Sequence, residues 1–270
     1  MLIHILFYIC ILIDLLLLLK TILIFNKILE LKNSLININC IIIYNRPHRV
    51  HIYKLFQILF EYFFDDIIFD INDNYNIINK LNFYKKNFKS INIILDTNGG
   101  EIITNDILLN FISESKIKIN CFVPQKSQSA GTLLALISDK LYISPGAILS
   151  PTDPQITIDN DTYSVKSIID MCTQKDINTI SDKYLLTYFE NKKLHYENIE
   201  MMTKLLDKKY KKNLSKYDKS QLLYELTSGD YSHHRPLSGI YLNKYLDLYL
   251  DIPKNINKIY DMYKILYYYL

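Results

Sequence analysis

Two stretches of this chain follow one plan, and that plan dictates a parallel sheet. Ile91-Asn-Ile-Ile-Leu-Asp96 is an apolar, β-branched run that ends in the turn Thr97-Asn98-Gly99-Gly100. Apolar residues then recur at helical spacing from Glu101 to about Ser115: Ile102, Ile103, Ile107, Leu108, Phe111 and Ile112. The next run ends at Val123 and Pro124, and a polar turn delivers Ser129, Ala130 and Gly131 to the start of an apolar helix. A third run, Leu141-Tyr-Ile-Ser, passes through a turn into the extended, proline-rich stretch Leu149-Ser-Pro-Thr-Asp153-Pro-Gln155. Strands that are apolar on both faces and alternate with helices pair in parallel beneath those helices, which places the chain in the α/β class. An earlier strand is expected over Asn37–Tyr44, with helices over Lys54–Phe64 and Tyr75–Lys86. Residues 168–212 and 220–226 read as helical.

In such a sheet the carboxyl ends of neighbouring strands open on one crevice, so the Gly pair and Ser129 are expected to converge. Two glycines at a strand end let the backbone turn sharply and present bare N–H groups. Ser129 has two readings. It can cap the following helix. It can also be a nucleophile, since the unpaired N–H groups and positive dipole end of the helix share its space and could hold an oxyanion. The Gly pair has neither the spacing of a dinucleotide fingerprint nor a Walker lysine, so nothing points to phosphate binding.

Composition removes other classes. The 270 residues are 49% hydrophobic, enough for one catalytic-sized domain. A net charge of +3 and the lack of a basic-aromatic stripe speak against nucleic acid. Cys10, Cys40, Cys121 and Cys172 form no metal-ligand spacing, so neither a zinc site nor any other metal site is expected. Leu2 to Leu19 is apolar or aromatic except for His4 and Asp14. A central carboxylate costs roughly 2.5–3.5 kcal/mol on insertion scales, which the surrounding leucines and isoleucines outweigh. Residues 1–30 are therefore expected to be a hydrophobic helix anchoring the chain in a membrane by a single pass. Lys20, Lys27 and Lys32 would keep the catalytic domain on the cytoplasmic side. The alternative is a buried N-terminal helix docked within an oligomer. A catalytic domain over 35–255 and a Tyr-rich C-terminal helix over 256–270 complete the division, and those tyrosines could pack at a subunit contact.

Asp96-Thr-Asn-Gly-Gly100, Ser127-Gln-Ser-Ala-Gly-Thr132 and Ser150-Pro-Thr-Asp-Pro-Gln155, in that order and spacing, resemble the serine dehydrogenase proteinase family. That family belongs to the Clp protease/crotonase superfamily and is similar to signal peptide peptidase A. The likeness extends to Tyr163–Lys175, matching a helix that ends in lysine, and to Thr227–Leu237, where a histidine precedes a Pro-Leu pair. It covers about residues 35–250. Where the family usually has proline before its Gly pair, this chain has Asn98.

The resemblance implies stacked βα (ββα) units, with a parallel sheet flanked by helices, and hydrolysis of peptide bonds. Ser129 would be the nucleophile, and the N–H groups of Gly99, Gly100 and Ala130 the oxyanion hole. Clp-type enzymes place a histidine base one unit downstream of the serine, which falls here on Thr152–Gln155, where there is none. A lysine base of the signal-peptide-peptidase kind is then the first expectation, at Lys175, with Lys166, His233 and His234 as second choices. The resemblance also implies a peptide or protein substrate, a homo-oligomer and no cofactor. Two rival readings are a crotonase-like acyl-CoA site and an inactive membrane-anchored scaffold.

Overall fold

Five apolar runs form the central sheet, and their alternating residues face two separate cores. In the computed structural model the described residues are 2–45, 63–64 and 66–269, with the side chains of 2–11, 14, 17, 102–105 and 267–269 excepted. The elements run α1 (Leu2–Asn37), β1 (Cys40–Tyr44), β2 (Ile68–Asp70), α2 (Asn74–Asn87), β3 (Ile91–Asp96) and α3 (Ile102–Ser115). They continue through β4 (Ile119–Val123), β5 (Lys126–Ser127), α4 (Ala130–Ile137), β6 (Lys140–Ile143), β7 (Ile148–Leu149), β8 (Gln155–Ile158) and β9 (Asp161–Ser164). Last come α5 (Val165–Gln174), a short 3₁₀ turn (Ile177–Thr179), α6 (Asp182–Asp207), α7 (Lys216–Thr227), β10 (Leu237–Ser238), α8 (Gly239–Leu242) and α9 (Lys254–Tyr269). The strand expected over Asn37–Tyr44 begins three residues later, because α1 runs on to Asn37. The expected helix over Lys54–Phe64 lies, apart from its last two residues, outside the described residues.

The sheet order is β2-β1-β3-β4-β6, every neighbour pair parallel. Period-two alternation sorts its side chains. Ile41, Ile43, Ile93, Leu95, Ile119, Cys121 and Val123 pack beneath α2, α3 and α4. Cys40, Ile42, Ile94 and Phe122 face the other way, onto α1 and α9. The predicted sheet flanked by helices is what the chain forms.

α1 and α9 make one layer. Ile28, Leu31 and Leu35 of α1 meet Ile256, Ile259, Tyr260 and Tyr263 of α9 in that second core. The C-terminal tyrosines 260 and 263 are thus buried within this chain, since a ring on the inner stripe of an amphipathic helix has apolar surface to cover. The polar tip of Tyr260 donates to Asp96 Oδ2 at 2.9 Å, and Lys264 Nζ lies 3.4 Å from the same oxygen. α9 therefore holds the end of β3 just before the Gly-pair turn.

The membrane span expected in residues 1–30 is not supported: among the described residues no helix is long and apolar enough to cross a membrane. The physical reason is the changing character of α1. From Lys20 onward polar residues recur at Asn26, Lys27, Glu30, Lys32 and Asn33, and Ile28, Leu31 and Leu35 among them turn inward onto the sheet and α9, while Ile22, Leu23, Phe25 and Ile36 are exposed.

Truncating Leu31, fully buried between α1 and its neighbours, tests how far that layer supports the domain. Leu31→Ala should lower unfolding free energy by about 2–5 kcal/mol in urea titration. An effect within the scatter of surface substitutions would mean that α1 is not part of the cooperative unit.

Candidate active site

Thr97, Ser127, Leu149 and Leu237 stand in one row across a second, smaller sheet, and the site hangs from it. β10, β7 and β5 form that sheet in this order. Ser127 pairs in parallel with Leu149, and Leu149 pairs antiparallel with Leu237. An isolated parallel bridge adds Thr97 beside Ser127, through Thr97 N–H to Lys126 O at 3.2 Å and Gln128 N–H to Thr97 O at 3.0 Å. Gly99 and Ser129 each lie two residues past the row, so both turns end at the same height.

Ser129 does not cap α4 with its side chain. Its backbone sits at φ 52°, ψ −122°, a left-handed conformation rare outside glycine and costing of order 1–3 kcal/mol. The strain is held by its surroundings. Ser129 N–H donates to Ser150 Oγ at 2.9 Å, and Thr132 N–H donates to Ser129 O at 2.8 Å. Thr132 Oγ1 lies 2.9 Å from Ser127 O and 3.0 Å from Ser150 O, and accepts from Ser150 N–H at 3.2 Å. The Ser129 hydroxyl itself has no hydrogen-bond partner among the described residues.

The Gly-pair turn presses against this elbow. Gly99 has φ +107°, and a Cβ there would stand 2.6 Å from Ser129 Cβ, so only glycine fits. Gly131 is similarly enclosed, with Thr97 Cγ2 and Ser127 Oγ at 2.5 and 2.6 Å from a Cβ position. Asn45, just past β1, fixes the turn: its Nδ2 donates to Gly99 O at 2.7 Å, while its Oδ1 accepts from Thr97 Oγ1 and Asn98 N–H. Lys126 Nζ donates to Asn98 Oδ1. Thus Asn98 ties the Gly-pair turn to the Ser129 turn. Gly99 N–H donates to Thr97 Oγ1 at 3.1 Å. The amide protons of Gly100 and Ala130 have no partner among the described residues, and both residues line the same cavity as Ser129. Of the three expected oxyanion donors, Gly99 is the one already engaged.

That cavity, about 580 Å³, also contains Asp153 and His233. His233 Nδ1 is 2.8 Å from Asp153 Oδ1, and Asp153 is only 2% exposed. Its other oxygen accepts from Gln155 Nε2 at 2.6 Å. The small sheet brings the pair together. Asp153 lies four residues beyond Leu149 and His233 four before Leu237, so the antiparallel register carries them to face each other. Thr152 N–H donates to Leu226 O at 2.7 Å and Val165 N–H to Pro154 O at 2.9 Å, clamping the Asp153 loop to α7 and α5.

The two lysines lie elsewhere. Lys175 is exposed at the end of α5 and lines a different cavity, with Asp159, Tyr163 and Tyr184. Its backbone N–H closes the last turn of the helix on Met171 O at 3.2 Å. Lys166 Nζ sits 2.5 and 2.6 Å from the Asp170 oxygens and 3.7 Å from Asp230. Its pKa is raised, chiefly by the Asp170 hydrogen bond, so it stays a cation and has no lone pair to offer. His234 is exposed, with its ring against that of His233, and does not line the cavity.

Relief of strain gives a direct check on the elbow. Glycine accepts the Ser129 backbone angles at little cost, although it loses more chain entropy on folding. Ser129→Gly should therefore be more stable than Ser129→Ala by about 1 kcal/mol in parallel denaturant titrations. The opposite order would mean that residue 129 is not held left-handed.

Two proteins from Methanocaldococcus jannaschii are similar to this chain. The uncharacterized protein MJ1495 is 28% identical over 173 residues, 64% of this chain and 55% of that protein. The uncharacterized protein MJ0137 is 27% identical over 177 residues, 65% of this chain and 59% of that protein. The chain thus aligns with less than two thirds of the length of each. A family model described as ClpP-like SDH-type serine proteinase matches residues 1–267. With nearly its whole length matched, the chain belongs to the ClpP-like SDH-type serine proteinase family.

Proposed function

We propose that the chain is a serine peptidase that cleaves peptide bonds through an acyl-enzyme on Ser129, with His233 as general base and Asp153 as its orienting carboxylate. The observation that carries this reading is the hydrogen bond between half-buried His233 and buried Asp153 on the wall of the cavity that holds Ser129. With Nδ1 bound to Asp153, His233 presents Nε2 as the nitrogen able to take a proton. The base is then a histidine, and neither Lys175 nor Lys166.

Ser129 Oγ attacks the carbonyl carbon of the scissile bond while its proton passes to His233 Nε2. The carbonyl oxygen becomes an oxyanion, and the unpaired Gly100 and Ala130 N–H groups are placed to donate to it. Collapse of the intermediate breaks the C–N bond, and His233 gives its proton to the departing amine. Water then attacks the ester, giving its proton to His233, and Ser129 leaves with that proton restored. Asp153 remains a carboxylate throughout and holds the imidazole in the tautomer that the step requires. A thioester enolate site would need the two N–H groups alone. The strained serine and the aligned His–Asp pair favour hydrolysis over that chemistry.

A fluorophosphonate probe tests the assignment. The parent chain should label, and Ser129→Ala should not. His233→Ala should slow labelling about 10²–10⁴-fold, the usual contribution of a positioned base. Lys175→Ala should label at the parent rate. Equal labelling of the Ser129→Ala variant would end the peptidase reading; normal labelling of His233→Ala with loss in Lys175→Ala would return the base to lysine.

A further inference from the structure

The cavity beside Ser129 has a charge character that the proposed hydrolysis does not require. Resting on the peptidase reading above, we infer that it receives a lysine or arginine side chain of the substrate, from the residue that supplies the attacked carbonyl. The cation would be held by Asp106 and Glu197 together with the carboxamide of Asn198.

Leu133 from α4 and Met201 from α6 give the cavity apolar wall. Asp106 of α3 and Glu197 and Asn198 of α6 line the same cavity. No lysine or arginine lines it among the described residues, although the chain as a whole carries net charge +3. Asp106 and Glu197 make no ion pair or hydrogen bond among the described residues. The Asp106 carboxyl is pushed up from its ordinary value, first by burial and then by the charge on Glu197. Two carboxylates on one wall, Asp106 half-buried and Glu197 exposed, are stabilised by a cation placed between them.

Asn198 adds an unpaired polar side chain to the same wall. It is 7% exposed, and its Nδ2 is buried with no hydrogen-bond partner among the described residues. A buried amide left unpaired is costly, and most such groups in native proteins have a partner. Oδ1 also has no hydrogen-bond partner among the described residues, and with Nδ2 buried it is the carboxamide atom left to accept from an ammonium or guanidinium in the cavity, beside the two carboxylates. The methylene stem of lysine or arginine would lie along Leu133 and Met201 with its charged head at the acidic end. An acidic side chain would add a third negative charge. An aliphatic one would cover the polar groups without pairing them.

Peptidyl diphenyl phosphonates that differ only in bearing Lys, Leu or Glu next to the phosphorus test this on the full chain. The Lys probe should phosphonylate Ser129 roughly 10-fold or more faster than the Leu probe, the scale of a charge pair in a partly desolvated site, with Glu slowest. In an Asp106→Asn, Glu197→Gln double variant the Lys-to-Leu ratio should fall towards one. The Leu rate within each protein reports folding and nucleophile alike. If the parent labels with Leu or Glu as fast as with Lys, or the double variant keeps the Lys advantage, this inference fails and the peptidase reading stands. If no phosphonate and no alkyl fluorophosphonate labels the parent, both fail.

Discussion

Everything near Ser129 depends on the lateral row Thr97–Ser127–Leu149–Leu237. The five-stranded parallel sheet brings its loops to one side of the molecule, but it cannot set their heights to hydrogen-bonding tolerance. The small sheet does that, because pairing between strands is quantised in whole residues. From the row, two residues forward lead to Gly99 and to Ser129, and the antiparallel ends meet at Asp153 and His233. A one-residue slip of β10 against β7 would move His233 off Asp153 and reverse the face of its side chain.

The same row lets the chain hold a strained serine. A left-handed residue of order 1–3 kcal/mol above its relaxed state persists only when several contacts over-determine it. Here Ser150 takes the Ser129 amide, and the Thr132 hydroxyl spans Ser127 and Ser150. Gly131 lets α4 start in direct contact with Thr97. Each hydrogen bond contributes about 1 kcal/mol net, so three or four of them offset the strain. α9 supports the other side of the site by tying Asp96, and through Lys264 also Gln125, to the outer layer. An amide given to Ser150 and a φ of 52° leave the Ser129 hydroxyl free of the capping role that sequence alone could equally assign to it.

Legibility followed the range of the interactions. β3 with its Gly pair, α3, α4 and the alternation that makes the sheet parallel are local patterns, and each was readable from apolar spacing and turn residues. Gly99 against Ser129 was foreseeable as a convergence of strand ends. The distinction between Gly99, whose N–H turns back to Thr97, and Gly100, whose N–H is open, depends on one hydroxyl and on Asn45 across the sheet. β7 and β10 are two residues each and far apart in the chain, too short for any periodicity to announce. So the partner of Asp153 could not be read. The polar residues that recur in α1 from Lys20 onward show that its second half is amphipathic, but that α9 covers the inner stripe is a long-range contact that local spacing does not show.

Thr152–Gln155, where a Clp-type histidine would fall, holds the orienting group that the proposed mechanism needs. A base and its carboxylate form a pair defined by geometry, and they can be supplied in either chain order provided that the imidazole reaches the nucleophile. On an antiparallel ladder the two strands face each other reciprocally, so an acid on the β7 side and a histidine on the β10 side meet across the same gap as the reverse. What must not change is the register and the burial of the acid, because an exposed carboxylate would be screened and would not fix the ring. Asp153, 2% exposed and bonded through its second oxygen to Gln155, meets that condition. Lys166 is engaged by Asp170 and Asp230, which leaves the Asp153 carboxylate to His233 and Gln155.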